Sequence, residues 1–428
     1  MNKRQVIILW VIAIALGVAV TVVKISQHQA SHSATKRSPG QMLFESFPGA
    51  EANSIEILGV NSTVTLNRKD GKWVVNQRGD YPANHTFVND LIRTLSDLKI
   101  THSLQAGPSL APRFGMDETA TKPEAHGLTA IFKDASGKEV AKVSLGKTIE
   151  SGATASPMGG SSPVGRYVRN HADSSGFYAV SEMFPSVSAD PKRWLADDFI
   201  SPEKIKSITV NMNGKPEAAW KISREGEEAE FKLDGAAATE LLDSTVASSL
   251  KSLLAYARFE DVVPSAQVVE RTITAGQRSA VIETFEGFTY VVKMTPAKPS
   301  AASTTEEPAA KDHFLMSVEV SAEIPKERKK AEGESPEDAK TKDAAFTDLQ
   351  KALSDKLAKE KSFAGITYEV AKRLVEPLLK DRAGLMAKPA PAGTQAPNPG
   401  GVQRLPSGMI ARPPMPTPDG KGSGVNGQ

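Results

Sequence analysis

The chain has 428 residues, 39% of them hydrophobic and 24% charged, so it can bury more than one hydrophobic core and is expected to form two or more folded units. A formal net charge of +2 lacks the dense basic face that releases counterions from phosphates, and excludes a nucleic-acid partner. The absence of cysteine excludes disulfides, thiolate metal sites, iron–sulfur clusters, cysteine nucleophiles and lipidation at cysteine.

After Lys3 and Arg4, an apolar run extends from Val6 to Val23 and is closed by Lys24. Its eighteen residues span about 27 Å as a helix, close to a bilayer's hydrocarbon thickness. The expectation is a transmembrane anchor over residues 1–25, with a short cytoplasmic N-terminus and the bulk of the chain outside. A cleaved secretory signal is the rival, but its apolar core is normally shorter and ends at a nearby small-x-small site. Residues 26–54 are expected to be a polar tether.

Folded sequence is expected from Ile55. Ile55–Leu58 and Thr63–Leu66 alternate as strands, Asp70-Gly71 marks a tight hairpin, and Trp73–Val75 returns. Asn84, placed to cap, precedes a helical stripe of Phe87, Leu91, Leu95 and Leu98. Strands follow at Leu128–Phe132, Val140–Leu145, Arg166–Arg169 and Phe177–Val180, and Trp194–Ile200 closes the first unit.

The order then recurs. Ile205–Val210 stands for Ile55–Leu58, Trp220–Ile222 and Phe231–Leu233 form the hairpin, and Phe231 stands where Trp73 stood. A helix with Leu242, Val246, Leu250 and Leu253 follows, then strands at Val281–Phe285, Phe288–Val292 and Phe314–Val318. The fold class expected is α+β, with two antiparallel-sheet-plus-helix repeats at 55–200 and 201–324. A mobile insertion is expected at 296–311 and a charged flexible one at 325–343. Amphipathic helices at 344–387 carry Phe346, Leu349, Leu353 and Leu357, then Val370, Leu374 and Leu378 from about Ile366. The Pro/Gly-rich stretch 388–428 is expected to be a disordered tail.

Chemical motifs are sparse. Gly146-Lys147-Thr148 lacks the earlier glycine of a phosphate-binding loop, since Ala141 occupies that place in a strand. Ser201-x-x-Lys204 reads as a helix start, with Ser201 as cap and Pro202 in the first turn. Asp197 and Asp198 are adjacent and cannot flank one bond. Of the seven histidines only His28 and His32 have helical ligand spacing, without a third ligand. No catalytic, cofactor or metal residue is expected. The cluster Arg166, Tyr167 and Arg169 is the one candidate surface contact, against the alternative that Tyr167 points inward between outward arginines.

Gly71-Lys72-Trp73, Tyr81-Pro82-Ala83-Asn84, Leu145-Gly146, Tyr167-Val168-Arg169, Phe177-Tyr178 and the segment near Tyr368 together resemble the DUF4340 family of unknown function, over about residues 55–385. Asn84 stands where that family usually has Asp, and Phe114-Gly115-Met116 where Tyr-Gly-Leu is common. The resemblance implies a single-pass protein of the bacterial inner membrane, its bulk periplasmic. It also implies association with an ABC-2-type permease or a gliding-type auxiliary subunit. The function expected is a non-enzymatic accessory or scaffold; a periplasmic glycan- or lipid-binding module is the alternative. An envelope hydrolase using Ser201 or Asp197 is the third reading.

Overall fold

The structure is a computed structural model that describes residues 15–24, 37–151, 162–173, 176–212, 215, 217–237, 240–298, 313–328 and 333–387. Residues 15–24 form a helix, α1, whose Leu16, Val18, Val20, Val22 and Val23 side chains are 54–62% exposed. Among the described residues no helix is long and apolar enough to cross a membrane. The anchor expected over 1–25 falls largely on residues 1–14, outside the described residues, as do the tail 388–428 and most of the insertion 296–311.

Nine strands build the first antiparallel sheet: β1 Ser54–Leu58, β2 Thr63–Lys69, β3 Lys72–Val75, β4 Tyr81–Pro82, β5 His102–Ser103, β6 Leu128–Lys133, β7 Glu139–Glu150, β8 Pro163–Asn170 and β9 Phe177–Val180. Their spatial order is β4-β3-β2-β1-β6-β7-β8-β9-β5. The β2–β3 hairpin closes on Asp70 and Gly71, at φ 49° and 77°; the left-handed pair matches the twist of the flanking strands. Helix α2 (His85–Ser96) starts where Asn84 Oδ1 accepts the Thr86 and Phe87 amides, and buries Val88, Leu91 and Leu95. A four-residue helix, α3 (Pro123–His126), precedes β6.

Eight strands build the second sheet: β10 Ile205–Met212, β11 Ala218–Ser223, β12 Lys232–Leu233, β13 Asp261–Val263, β14 Arg278–Thr284, β15 Phe288–Pro296, β16 His313–Ala322 and β17 Thr367–Ala371. Helices α4 (Ser244–Lys251), α5 (Ser265–Arg271), α6 (Pro336–Lys361) and α7 (Lys372–Leu379) complete the body. The order β12-β11-β10-β14-β15-β16-β17-β13 repeats that of the first sheet once β4 is set aside. Register carries the equivalence to single residues. Ile55 pairs with Leu66 and Phe132 as Ile208 pairs with Ile222 and Ile282. Ala130 sits opposite Val143 as Ala280 sits opposite Val292, and Tyr178 crosses from Val168 as Tyr368 crosses from Met316. Trp73 and Phe231 both precede by two residues the partner of the β2 or β11 core residue, as expected.

Four expectations are corrected. The tether does not run to residue 54. Gly40 and Leu43 donate backbone hydrogen bonds to Ile100 and Leu98, at 2.8 and 2.7 Å, and Leu43 is fully buried. Arg37 donates to the buried Asp173 at 3.0 Å, and Tyr178 donates to the same carboxylate oxygen at 2.7 Å. Residues 37–43 thus form a strap that covers the segment leading into edge strand β5, a common way of protecting a sheet edge.

The second sheet does not end at 324. The segment taken for a helix from Ile366 begins as β17, paired with both β16 and β13, and turns helical only at Lys372. The charged insertion is helical from Pro336, with Ser335 as N-cap. Finally, 201–204 is not a helix start. Lys204 has φ 50°, and the Ser201 amide donates instead to Glu360 at 3.2 Å. Glu360 is buried at the end of α6, also accepts the Tyr290 hydroxyl at 2.5 Å, and docks that helix on the second sheet.

Candidate functional site

The two repeats share one contiguous core, running from Leu43 to Leu385. At their seam, Tyr81 of β4 meets Phe259 and Tyr368 edge-on, with ring centroids 5.6 and 6.1 Å apart, and Phe199 lies 4.7 Å from Tyr368. Edge-to-face contacts of this kind add about 0.5–1.5 kcal/mol beyond area burial. Burial pushes the Tyr81 phenol up to about 12, so it stays protonated, with its hydroxyl in hydrogen-bond contact with that of Tyr368.

The turn between β3 and β4 supplies Arg78, which grips Asp261 of β13 with two hydrogen bonds of 2.6 and 3.0 Å. Lys192 lies 3.8 Å from the same carboxylate. In the first repeat the equivalent edge is covered by the strap; in the second, the first repeat itself covers it. Replacing Arg78 with Met leaves a buried carboxylate with one distant cation. Because Arg78 is partly exposed, the expected loss is about 2 kcal/mol, read as a lower urea midpoint at unchanged slope.

Behind β13, Arg271 of α5 forms a bidentate pair with Glu369 of β17, at 2.9 and 3.0 Å. His313 lies between Glu260 (2.8 Å) and Glu369 (3.4 Å). The carboxylates face opposite ring nitrogens, so the three groups do not converge on one point. Among the described residues no group of three or more His, Asp or Glu side chains is placed to hold a metal ion.

A groove of about 420 Å³ opens beside this seam. Arg78 and Gly79 line it from the first repeat, and Val262, Val263, Val268, Val269 and Ile366 among others from the second. Both repeats contribute to its wall. Its aliphatic lining was not legible, because the contributing residues are separated by nearly 300 positions in sequence.

The Arg166, Tyr167 and Arg169 cluster does not form one surface patch. Arg166 turns to Gly146 and Met183, donating to their carbonyls at 2.6 and 3.1 Å. Tyr167 and Arg169, two residues apart, share the other face of β8. There Tyr167 packs 5.2 Å from Phe114, and Arg169 lies 5.0 Å over the Phe177 ring. Burial draws both guanidinium groups down from their ordinary value. The expectation of an inward Tyr167 flanked by outward arginines fails because i and i+2 on a strand point the same way.

Gly146-Lys147-Thr148 lies in β7, where a Cβ on Gly146 would meet the Phe114 carbonyl at 2.2 Å. Its glycine serves close packing. Asp197 and Asp198 reach apart, to Arg258 at 3.8 Å and to Lys359 at 2.6 Å. His28 and His32 lie outside the described residues.

One pair that sequence reading missed joins Ser144 to His171 at 2.8 Å, with Thr129 bonded to Ser144 at 2.9 Å. Burial, with Arg169 and Lys142 nearby, holds the His171 imidazole down to about 3. Such a ring is a weak base at neutral pH, and the pair ties β7 to the turn after β8. Since the folded value lies below the unfolded 6.5, stability is complete above that pH and falls as pH drops toward 3. The His171→Gln variant is expected to flatten this acid dependence in urea titrations run from pH 7 to pH 4.

Residues 73–275 match a family model described as "Domain of unknown function (DUF4340)", which begins in β3 and ends just beyond α5. No curated protein and no solved structure matches the chain.

Proposed function

Because this is a DUF4340 domain-containing protein, we propose that it acts as a non-enzymatic scaffold of the bacterial envelope, anchored once in the inner membrane with its body in the periplasm. Its partner is an ABC-2-type export permease or a gliding-type auxiliary subunit. The observation that carries the reading is the manner in which the N-terminal segment joins the body. Apolar residues Val6–Val23 are followed by Arg37, whose guanidinium enters a buried pair with Asp173. Only twelve residues separate Lys24 from Arg37, a reach of at most about 40 Å. A body joined through so few residues stays within about 40 Å of the lipid. The ion pairs and tyrosine hydroxyls described above serve its internal packing, which supports a structural role over a reactive one.

The test is fractionation and co-purification of the full chain carrying a C-terminal tag. Retention in the membrane pellet through an alkaline carbonate wash, with a permease recovered in fixed ratio, is the expected result. A soluble chain lacking its first 25 residues contradicts it. The inter-repeat groove favours a second reading, a glycan- or lipid-binding module. Recovery of a small molecule without a protein partner would select that reading.

A further inference from the structure

The guanidinium of Arg169 is left without a hydrogen-bonding task in the fold. Arg166, on the same strand, donates to two carbonyls, and the terminal nitrogens of Arg271 are engaged by Glu369 and Lys298. Arg169 instead stacks 5.0 Å over the Phe177 ring, a contact that uses its flat face and none of its N–H groups. Its Nε is shut off from solvent and has no hydrogen-bond partner. Among the described residues Arg169 enters no ion pair. Glu118, whose charge reaches it, stands 3.6 Å from Lys142 instead and is 64% exposed. Guanidinium groups withdrawn from water normally find acceptors for their donors, so the exception calls for an explanation.

The surroundings of Arg169 are basic. Register sets it opposite Ser144, and His171, two residues further on, donates its amide to the Lys142 carbonyl at 3.2 Å. Lys142, Ser144, Arg169 and His171 therefore form a two-by-two block on one face of β7 and β8, with cross-strand side chains about 5 Å apart. Its floor is neutral: Ser144 is buried and bonded to both His171 and Thr129. Arg169 and Lys142 join burial in holding the His171 imidazole down, so a positive field fills the block. The Lys142 side chain is 25% exposed, which leaves the block open to solvent on that side. Cations gathered this closely repel one another unless an anion lies between them.

We propose that this block is a binding site for a phosphate oxyanion, held by the Arg169 guanidinium through paired hydrogen bonds and by Lys142 as a point charge. Two cations are matched by a dianion, which a phosphate monoester approaches at neutral pH and a single carboxylate does not. The phosphate is either a free one or the headgroup of a phosphatidic acid. Asp173, two residues beyond His171, receives Arg37 at 3.0 Å, so the block lies where the chain enters the body. With the anchor proposed above, that position keeps it close enough to the lipid for a headgroup to be considered beside free phosphate. The inference goes beyond the scaffold reading and requires no permease.

The test is isothermal titration calorimetry of inorganic phosphate into the full chain, held in phosphatidylcholine nanodiscs at constant ionic strength in chloride. Saturable one-to-one uptake is expected, at least tenfold weaker in Arg169→Gln and in Lys142→Gln. Lys142 is partly exposed, so its variant carries the test if Arg169→Gln does not fold. Lys147→Gln, which removes an exposed lysine from the same strand, is expected to leave uptake unchanged. Replacing part of the lipid with phosphatidic acid separates the two sources. Loss of phosphate uptake by the wild-type chain then assigns the block to the headgroup, and unchanged uptake assigns it to free phosphate; both results uphold the site. The proposal is overturned if phosphate uptake does not saturate, or if the folded variants at Arg169 and Lys142 bind as the wild type does. It is equally overturned if Lys147→Gln weakens uptake as much as they do, since that is the mark of diffuse surface charge. Membrane retention and permease recovery do not enter this readout, so its failure is distinguishable from failure of the scaffold reading.

Discussion

Replacing Arg271 with Met while keeping Glu369 is expected to destabilise the body by about 3–5 kcal/mol. Both side chains are more than nine-tenths buried, and the guanidinium also donates to the Lys298 carbonyl at 3.2 Å. Burial alone pushes the Glu369 carboxyl up. The Arg271 hydrogen bonds and charge, with Lys192 and His313, overcome this and hold it below its ordinary 4.5. Removing Arg271 therefore strands a carboxylate in a site that disfavours its charge. The double variant Arg271→Met/Glu369→Leu removes the stranded charge as well, and is expected to recover most of the loss. Urea midpoints of the single and double variants make the comparison. The pH course has a definite sign: the contribution of Glu369 is present above 4.5 and is lost as pH falls through the lowered folded value.

Trp194→Ala is expected to cost a comparable 3–5 kcal/mol, for a different reason. The indole is fully buried, and its Nε1 donates to the Ser188 carbonyl at 2.7 Å. Its own carbonyl accepts the Asn84 amide at 2.7 Å, while Leu195 bridges to Ala83 beside it. Truncation opens a cavity at the place where the first repeat hands the chain to the second, and leaves the Ser188 carbonyl without its donor. Trp194→Phe retains most of the apolar volume and is expected to lose clearly less. Equilibrium urea unfolding of the two variants separates the volume from the hydrogen bond.

Much of the fold was legible because local signals agreed with one another. Asp70-Gly71 demanded a left-handed turn, Asn84 supplied a side-chain cap, and alternation placed the strands on either side. The repeat was legible from order alone, and register confirms it residue by residue. What failed was long-range or ambiguous. Val370, Leu374 and Leu378 have helical spacing, but Val370 belongs to a five-residue strand, whose short apolar run looks the same in either conformation. The strap was missed because Leu43 and Phe44 form no periodic pattern and Arg37 finds Asp173 only 136 residues later. The Arg166 cluster misled because sequence proximity was taken for one surface, whereas the strand sends its members to opposite faces. The groove could not be read at all, since its walls come from positions nearly 300 residues apart in the sequence.

The seam makes the two sheets one folding unit, and native-state hydrogen exchange of the full chain in rising urea tests this most directly. Amides of Ile57 in β1 and Val210 in β10, both fully buried, are expected to converge on a single opening free energy. Arg78→Met is expected to lower both values equally. If the β10 amides open at lower free energy than those of β1, or if the substitution moves one sheet and leaves the other untouched, the repeats unfold separately and the account is contradicted.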